Sequence, residues 1–190
     1  MNVHVTGASG SGTTTLARAL ADALALRHFD ADDYYWLPTS PAFKQKRDPS
    51  ERFALLCNEI QVNSGIVLSG SVMGWGPEIE DSFSLIVFLY LPAELRIERL
   101  RRRELAQLGQ VDEAFLQWAA EYDKGPSEGR SLAKHEHWLA QRACPILRLH
   151  GDLSIAERVA RVLQALRNPS LHPTRNSWLR QPSRAGELKR

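Results

Sequence analysis

The residues Gly7-Ala8-Ser9-Gly10-Ser11-Gly12-Thr13-Thr14, with Thr15 next, have the make-up of an anion cradle. Their spacing is G-x-x-x-x-G-x-[ST]. Glycines let successive backbone N–H groups turn toward one point, and such a nest binds phosphate oxygens. A helix starting near Thr13 adds the positive end of its dipole. Thr14 then places a hydroxyl where a Mg²⁺ ligand is needed. On this reading Gly7, Ser9, Gly10, Ser11, Gly12, Thr13, Thr14 and Thr15 hold a nucleotide's phosphates. Position 13 departs from the pattern. A lysine there reaches the β- and γ-phosphates, whereas Thr13 offers an N–H and a hydroxyl without charge. The chain has 19 arginines and only 5 lysines, and no lysine lies in the first forty residues. Three readings stay open: arginines from elsewhere supply the cation, turnover is slow, or the site binds without catalysis.

A second cluster follows in Phe29-Asp30-Ala31-Asp32-Asp33-Tyr34-Tyr35-Trp36. Three carboxylates in four positions repel one another unless a cation or a hydroxylic ligand shares the site. Asp30, Asp32 and Asp33 are therefore candidates for metal binding and for acid–base work. A third group is basic. Arg96, Arg99 and Arg103 recur at i, i+3 and i+7, on one helical face. The guanidinium fork matches phosphate oxygens. Arg130 sits in the glycine-containing stretch between Tyr122 and Ser131. His135, His137 and Cys144 do not make a zinc set, because His-x-His on a helix splits the two rings between faces and no fourth ligand is suitably spaced. Cys57, on an apolar helix face, reads as inert core.

These groups need a frame. Val3-His4-Val5 predicts a first strand ending at Thr6-Gly7, and apolar spacing predicts a helix over residues 13–27. His28-Phe29-Asp30 is a short second strand. Asp48-Pro49-Ser50-Glu51 is a helix start, with a capping Asp and Pro at the first helical position. Ile66-Val67-Leu68 and the unbroken apolar run over residues 85–91 are strands of the kind buried on both faces of a parallel sheet. Helices are expected over residues 92–107, across Val111, Phe115, Trp118 and Tyr122, and over residues 132–142. Residues 145–149 give a last strand, and Ser154-Ile155-Ala156-Glu157 is a capping box opening the final helix. Strands alternating with helices imply an α/β fold whose ligands bind at the carboxyl ends of the strands.

Size and composition agree. At 190 residues with 43% hydrophobic content, the chain suits one domain with a substantial core. The formal net charge of +2 argues against a protein that binds nucleic acid with its whole surface. No apolar run approaches the roughly 18 residues of a membrane span. Two cysteines suit a reducing compartment. The opening Met1-Asn2-Val3-His4-Val5 lacks the charged and apolar regions of a secretory signal, so a cytoplasmic location is expected. Residues 168–190 are basic, proline-containing and poor in apolar residues, and read as a mobile C-terminal tail.

Over residues 1–167 the sequence resembles the P-loop small-molecule kinases, the group holding adenylate, shikimate and gluconate kinases. Phe29-Asp30-Ala31-Asp32 is similar to the acidic stretch ending the second strand of the shikimate and gluconate branches, one residue shorter between Phe and the first acid. Residues 32–38 also resemble the Asp-x-x-Tyr-Trp-x-Pro of bacterial topology modulation proteins, which makes Asp32 the leading acid instead. The resemblance implies a three-layer P-loop NTPase fold. Its expected parts are a five-stranded parallel sheet, helices on both faces and a helical lid over about residues 104–131. It implies a phosphotransferase using ATP and Mg²⁺, with Thr14 and Asp30 at the metal and Asp32 or Asp33 at the acceptor hydroxyl. Arg99, Arg103 and Arg130 would clasp the transferred phosphoryl group. Adenine is expected near His150-Gly151-Asp152, and Trp36 and Trp75 border the acceptor or pack in the core. The acceptor is a small hydroxylic molecule, a nucleoside or a nucleotide. The rival reading is a nucleotide-binding regulatory module with little turnover, which Thr13 favours and the acid cluster opposes. A P-loop sulfotransferase needs no Mg²⁺, so the acids disfavour it as well.

Overall fold

The computed structural model describes residues 1–40, 43–126 and 129–168. Of the expected tail, all but Asn168 lies outside them. Five strands form one sheet: β1 (Asn2–Gly7), β2 (Arg27–Asp30), β3 (Ile66–Ser69), β4 (Leu85–Tyr90) and β5 (Ile146–His150). All pair in parallel, in the order β2-β3-β1-β4-β5. Alternate residues face opposite sides. Val3, Val5, Val67, Leu85, Val87 and Leu89 meet Leu16 and Leu20 of α1 (Thr13–Leu24) and Val162 of α8 (Ile155–Arg167). On the other side Ile66, Leu68, Ile86 and Phe88 meet Leu56 of α3 (Pro49–Val62) and Trp138 and Leu139 of α7 (Leu132–Ala140). The sheet is thus covered on both faces, the expected three-layer α/β architecture.

The helix starts follow the sequence signals. Asp48 accepts hydrogen bonds from the N–H groups of Ser50 and Glu51, with Pro49 in the first turn of α3. Ser154 and Glu157 form the reciprocal capping box of α8. α5 (Ala93–Leu108) ends at Gly109, whose φ of 70° terminates it in the left-handed region. α6 (Glu113–Ala120) then returns along α5, packing Leu116 and Ala119 against Leu100. A 3-10 turn, Glu121–Asp123, follows.

Two expectations are corrected, and two short helices are added. The first helix stops at Leu24 rather than residue 27. Ala25 turns into the left-handed region, the Leu26 N–H bonds to the Ala21 carbonyl at 2.9 Å, and Arg27 pairs with Ile66 in the sheet. Strand pairing outweighs the helical periodicity there. The helix expected through Tyr122 ends at Ala120. Two short helices, α2 (Ala31–Tyr35) and α4 (Pro77–Glu80), carry too few residues to show a 3.6-residue period.

A polar column runs through the α3/α7 side of the core. His4 is fully buried, donates from Nδ1 to the Leu68 carbonyl at 3.2 Å and stacks on Phe83 with ring centroids 4.7 Å apart. His135, also buried, sits between the Thr6 hydroxyl (3.4 Å from Nε2) and the Tyr122 hydroxyl (2.6 Å from Nδ1). Burial lowers the His4 pKa from 6.5 to about 4 and the His135 pKa to about 3; nearby Arg130 and His4 lower the latter further. The unfolded chain therefore takes up protons first as pH falls below 6.5, and stability present above that value is lost toward pH 4. By pH 5 the expected loss is about 2 kcal/mol per histidine. Urea unfolding at pH 7 and pH 5 measures it, and equal midpoints would exclude neutral burial of these rings.

Candidate functional site

The phosphate loop joins β1 to α1 at the carboxyl edge of the sheet, as its sequence predicts. Gly10 has φ +83°, and a Cβ there would stand 2.6 Å from the Arg96 carbonyl oxygen. Gly12, at φ +93°, is the N-cap of α1. Ser11 folds back on the loop: its N–H and its hydroxyl donate to the Ala8 carbonyl at 3.1 and 2.7 Å. Ser9 meets Arg130, whose Nη2 donates to the Ser9 hydroxyl at 3.4 Å. Ser9 and Arg130 line a small recess with Trp118, Ala119 and Tyr122 as its other wall.

The acid cluster faces the end of this loop. Asp30, the last residue of β2, accepts a hydrogen bond from the Thr14 hydroxyl at 2.9 Å through Oδ2. The same oxygen accepts from the Ser69 hydroxyl at 2.9 Å. Oδ1 caps α2 by accepting from the Asp32 N–H at 3.1 Å. The α2 turn separates the two remaining candidates. Asp32 lies toward Arg130 and Arg103, and Asp33 toward His28 and Arg18. Asp32 is exposed to water, yet protein atoms crowd its carboxylate. That crowding, and then the neighbouring Asp30 charge, raises its pKa against the pull of the two arginines. Partial burial and Asp30 raise Asp33 as well.

The arginine face of α5 divides. Arg96 is fully buried and donates to the Leu91 carbonyl, the Ala119 carbonyl and Asp123 Oδ2, each at 2.9 Å. It fastens α5 to the 3-10 turn and is spent on that fastening. Arg99 pairs with Asp152 beside Gly12, and Arg103 is exposed on the next turn. Arg158 of α8 lies outside every sequence motif yet reaches the phosphate loop. It is 2% exposed and donates to the Ser11 carbonyl at 2.9 Å and the Gly151 carbonyl at 3.3 Å. The loop's outward carbonyl is thus held by a guanidinium from the far end of the chain. The sequence did carry a signal: Arg158, Val162 and Ala165 form a buried i, i+4, i+7 stripe in which an arginine is out of place.

The loop after β3 forms the opposite wall. Glu80, nearly buried, accepts from the Trp75 and Gly76 N–H groups at 3.0 and 3.3 Å and from Trp138 Nε1 at 2.6 Å. Arg142 balances its charge at 3.2 Å. Trp75 is 7% exposed and belongs to the core, whereas Trp36 is half-buried and bridges to Lys46. Arg52 stands beside the stacked pair of Tyr35 and Trp75, 4.8 Å from each ring centroid. His135 sits in the core column, while His137 is exposed and bonded to Gln141.

The sequence profile of the AAA domain family matches residues 3–113. The chain belongs to this AAA domain family. The match covers β1 to α5, and so includes the phosphate loop, the acid cluster and the arginine helix. A Bacillus subtilis (strain 168) relative, the uncharacterized protein YqaC, is 43% identical over 175 residues, spanning 87% of this chain and 97% of its own. The shikimate kinase of Buchnera aphidicola subsp. Baizongia pistaciae is 26% identical over 182 residues, 88% of this chain and 97% of its own. Among solved structures, the shikimate kinase of Acinetobacter baumannii in complex with shikimate superposes with a TM-score of 0.55. It has 18% identity and covers 90% of this chain and 94% of its own. This AAA-domain protein therefore has the fold and the relatives of the P-loop small-molecule kinase group.

Two glycine substitutions separate the loop's close approach from simple backbone strain. Gly10→Ala brings left-handed strain and a contact with the Arg96 carbonyl. It is expected to lower stability by about 2 kcal/mol or more and nucleotide affinity at least tenfold. Gly74→Ala, at φ +76° with nothing within 4 Å of the new Cβ, carries the strain alone. It is expected to cost about 1 kcal/mol and leave nucleotide affinity unchanged. Thermal melts and ATP titration of both variants check this.

Proposed function

We propose that the protein is an ATP-dependent phosphotransferase acting on a small hydroxylic acceptor or a nucleoside or nucleotide. The observation that carries the reading is the convergence at one sheet edge. Thr14 and Asp30 touch beside the phosphate loop, and Asp32 stands next to them facing Arg103 and Arg130.

The residues fit Mg²⁺ delivered with a nucleotide. Magnesium at phosphate sites takes one or two protein oxygens and completes its shell with water and phosphate. The hydroxyl of Thr14 and the carboxylate of Asp30, in contact at 2.9 Å, supply such a pair. When bound, the ion neutralises phosphate charge and aligns the β- and γ-phosphates. The loop N–H groups over residues 7–15 hold phosphate oxygens, with the α1 dipole behind them. Asp32 would orient the acceptor hydroxyl and take its proton as the new oxygen–phosphorus bond forms and the bond from the γ-phosphorus to the β-phosphate oxygen breaks, releasing ADP. A carboxylate whose pKa is raised is the better base for that step. Arg103 and Arg130 stabilise the charge developing on the transferred group. Asp33, turned toward Arg18 and His28, is placed outside this step. Residues 104–131 act as the lid, rooted through Arg96 and closing through Arg130 onto Ser9. Residues 1–167 make up the catalytic unit. Arg52, held against the rings of Tyr35 and Trp75 on the acceptor side, would meet a polar or anionic part of the acceptor. Among the described residues no helix is long and apolar enough to cross a membrane.

The test is label transfer from γ-labelled ATP with Mg²⁺ to a pool of nucleosides, nucleotides and hydroxylic metabolites. A labelled acceptor is expected. Asp32→Asn should then lower kcat by about 10²- to 10⁴-fold with ATP binding retained, and Asp33→Asn should change it by less than about fivefold. The acid limb of the wild-type pH profile should fall as pH drops through the Asp32 pKa, which crowding by protein and the Asp30 charge raise above that of a free aspartate. ATP binding without any transfer would instead favour the regulatory module.

One observation supports that second reading, the uncharged Thr13. The two readings differ in what Thr13→Lys does. If arginines already supply the charge, transfer changes by less than about tenfold. If the native site is a weakened catalyst, a gain on the order of 10²-fold or more is expected, within the range that one phosphate-binding cation contributes.

A further inference from the structure

Asp30 is held from a side that the phosphate loop does not reach. Asp30 and Ser69 are register partners in the β2–β3 pairing, and His28 lies two residues before Asp30 on the same strand face. His28 Nε2 is 2.9 Å from Ser69 Oγ, and Ser69 Oγ is 2.9 Å from Asp30 Oδ2. The directions of these bonds are forced. An ionised carboxylate only accepts, so the Ser69 hydroxyl gives its one hydrogen to Asp30. Ser69 then has only lone pairs for His28, so His28 must donate from Nε2–H. The chain of donors therefore runs His28 to Ser69 to Asp30, and the Thr14 hydroxyl arrives at the same carboxylate oxygen from the other side.

We infer that His28 is a positioning residue for the metal- and phosphate-binding centre, acting through Ser69 on the carboxylate of Asp30. The inference rests on the proposal that Thr14 and Asp30 receive Mg²⁺ with the nucleotide. With the His28 donor in place, Ser69 cannot turn its hydrogen elsewhere, and Asp30 Oδ2 keeps its orientation toward Thr14. Without it, the Ser69 hydroxyl is held less firmly and its bond to the Asp30 carboxylate weakens. Hydrogen-bonding partners behind metal-binding groups are worth about 10- to 100-fold in affinity when removed. Nothing in the sequence pattern marks His28. Its role comes from the sheet register that sets it beside Ser69.

The experiment compares ATP affinity with and without Mg²⁺ for the full chain, read by calorimetry. The proteins are wild type, His28→Leu and His28→Gln. In His28→Leu the Mg²⁺ enhancement of ATP affinity is expected to fall about tenfold, with Mg²⁺-free affinity unchanged. His28→Gln, which keeps an N–H donor, should recover most of the enhancement. A structural defect would lower both affinities together and would not be rescued in this selective way. A second readout needs no folded variant: ¹⁵N NMR of the wild-type imidazole above neutral pH. It should show His28 protonated on Nε2 and bare on Nδ1. A wild-type Mg²⁺ response in His28→Leu, or an Nδ1-protonated His28, overturns the inference while leaving the phosphotransferase reading intact. A wild-type protein whose ATP affinity ignores Mg²⁺ overturns the metal-site proposal first, and the role of His28 with it.

Discussion

The carboxylate of Asp30 accepts hydrogen bonds from three segments that are distant in sequence or in direction. The Thr14 hydroxyl comes from the start of α1, the Ser69 hydroxyl from the end of β3, and the Asp32 N–H from the first turn of α2. Three donors on one ionised group hold that group in place and shield its charge. The phosphate loop, the third strand and the acid turn are thereby fixed relative to one another at the sheet's carboxyl edge. Parallel pairing makes this possible, since it brings the ends of β1, β2 and β3 to the same edge.

Charge is supplied around this point by arginine rather than lysine. Arg130 reaches Ser9, Arg103 stands toward Asp32, Arg99 is held beside Gly12 by Asp152, and Arg158 grips the loop from behind. These come from three different segments of the chain. A lysine at position 13 would put one cation inside the loop. Here the cations sit on its rim, and one of them, Arg130, is on the proposed lid. Positive charge would then be fully assembled only when that segment is closed. Arg96 is the exception that makes this arrangement rigid, because its three hydrogen bonds tie the root of the segment to the body.

Most of the fold was legible because its signals are local. An all-apolar strand, a capping box and a glycine at a helix end are each decided within a few residues, so β4, α8 and the end of α5 stand close to where they were expected. The errors fall where long-range pairing overrides local preference. Residues 25–27 leave a helical pattern because β2 must pair with β3. Helices of four or five residues, such as α2 and α4, leave no periodic trace.

The candidate site divides in the same way. Sequence alone determined the anion cradle, since an N–H nest is a property of consecutive backbone dihedrals and glycines set those dihedrals. It also placed Asp30 at the carboxyl end of a strand. The family resemblance alone set it with Thr14, and the sheet order brings the two into contact. Only the tertiary structure decided that Asp32 faces the arginines while Asp33 faces Arg18 and His28. It also decided that Arg96 is consumed in packing, that Arg158 closes the back of the loop, and that His28 and Ser69 stand behind Asp30. Each of these depends on which way a helix is rotated or which residue lies across a sheet. Those relations are fixed by packing the whole core, and no local stretch of sequence contains them.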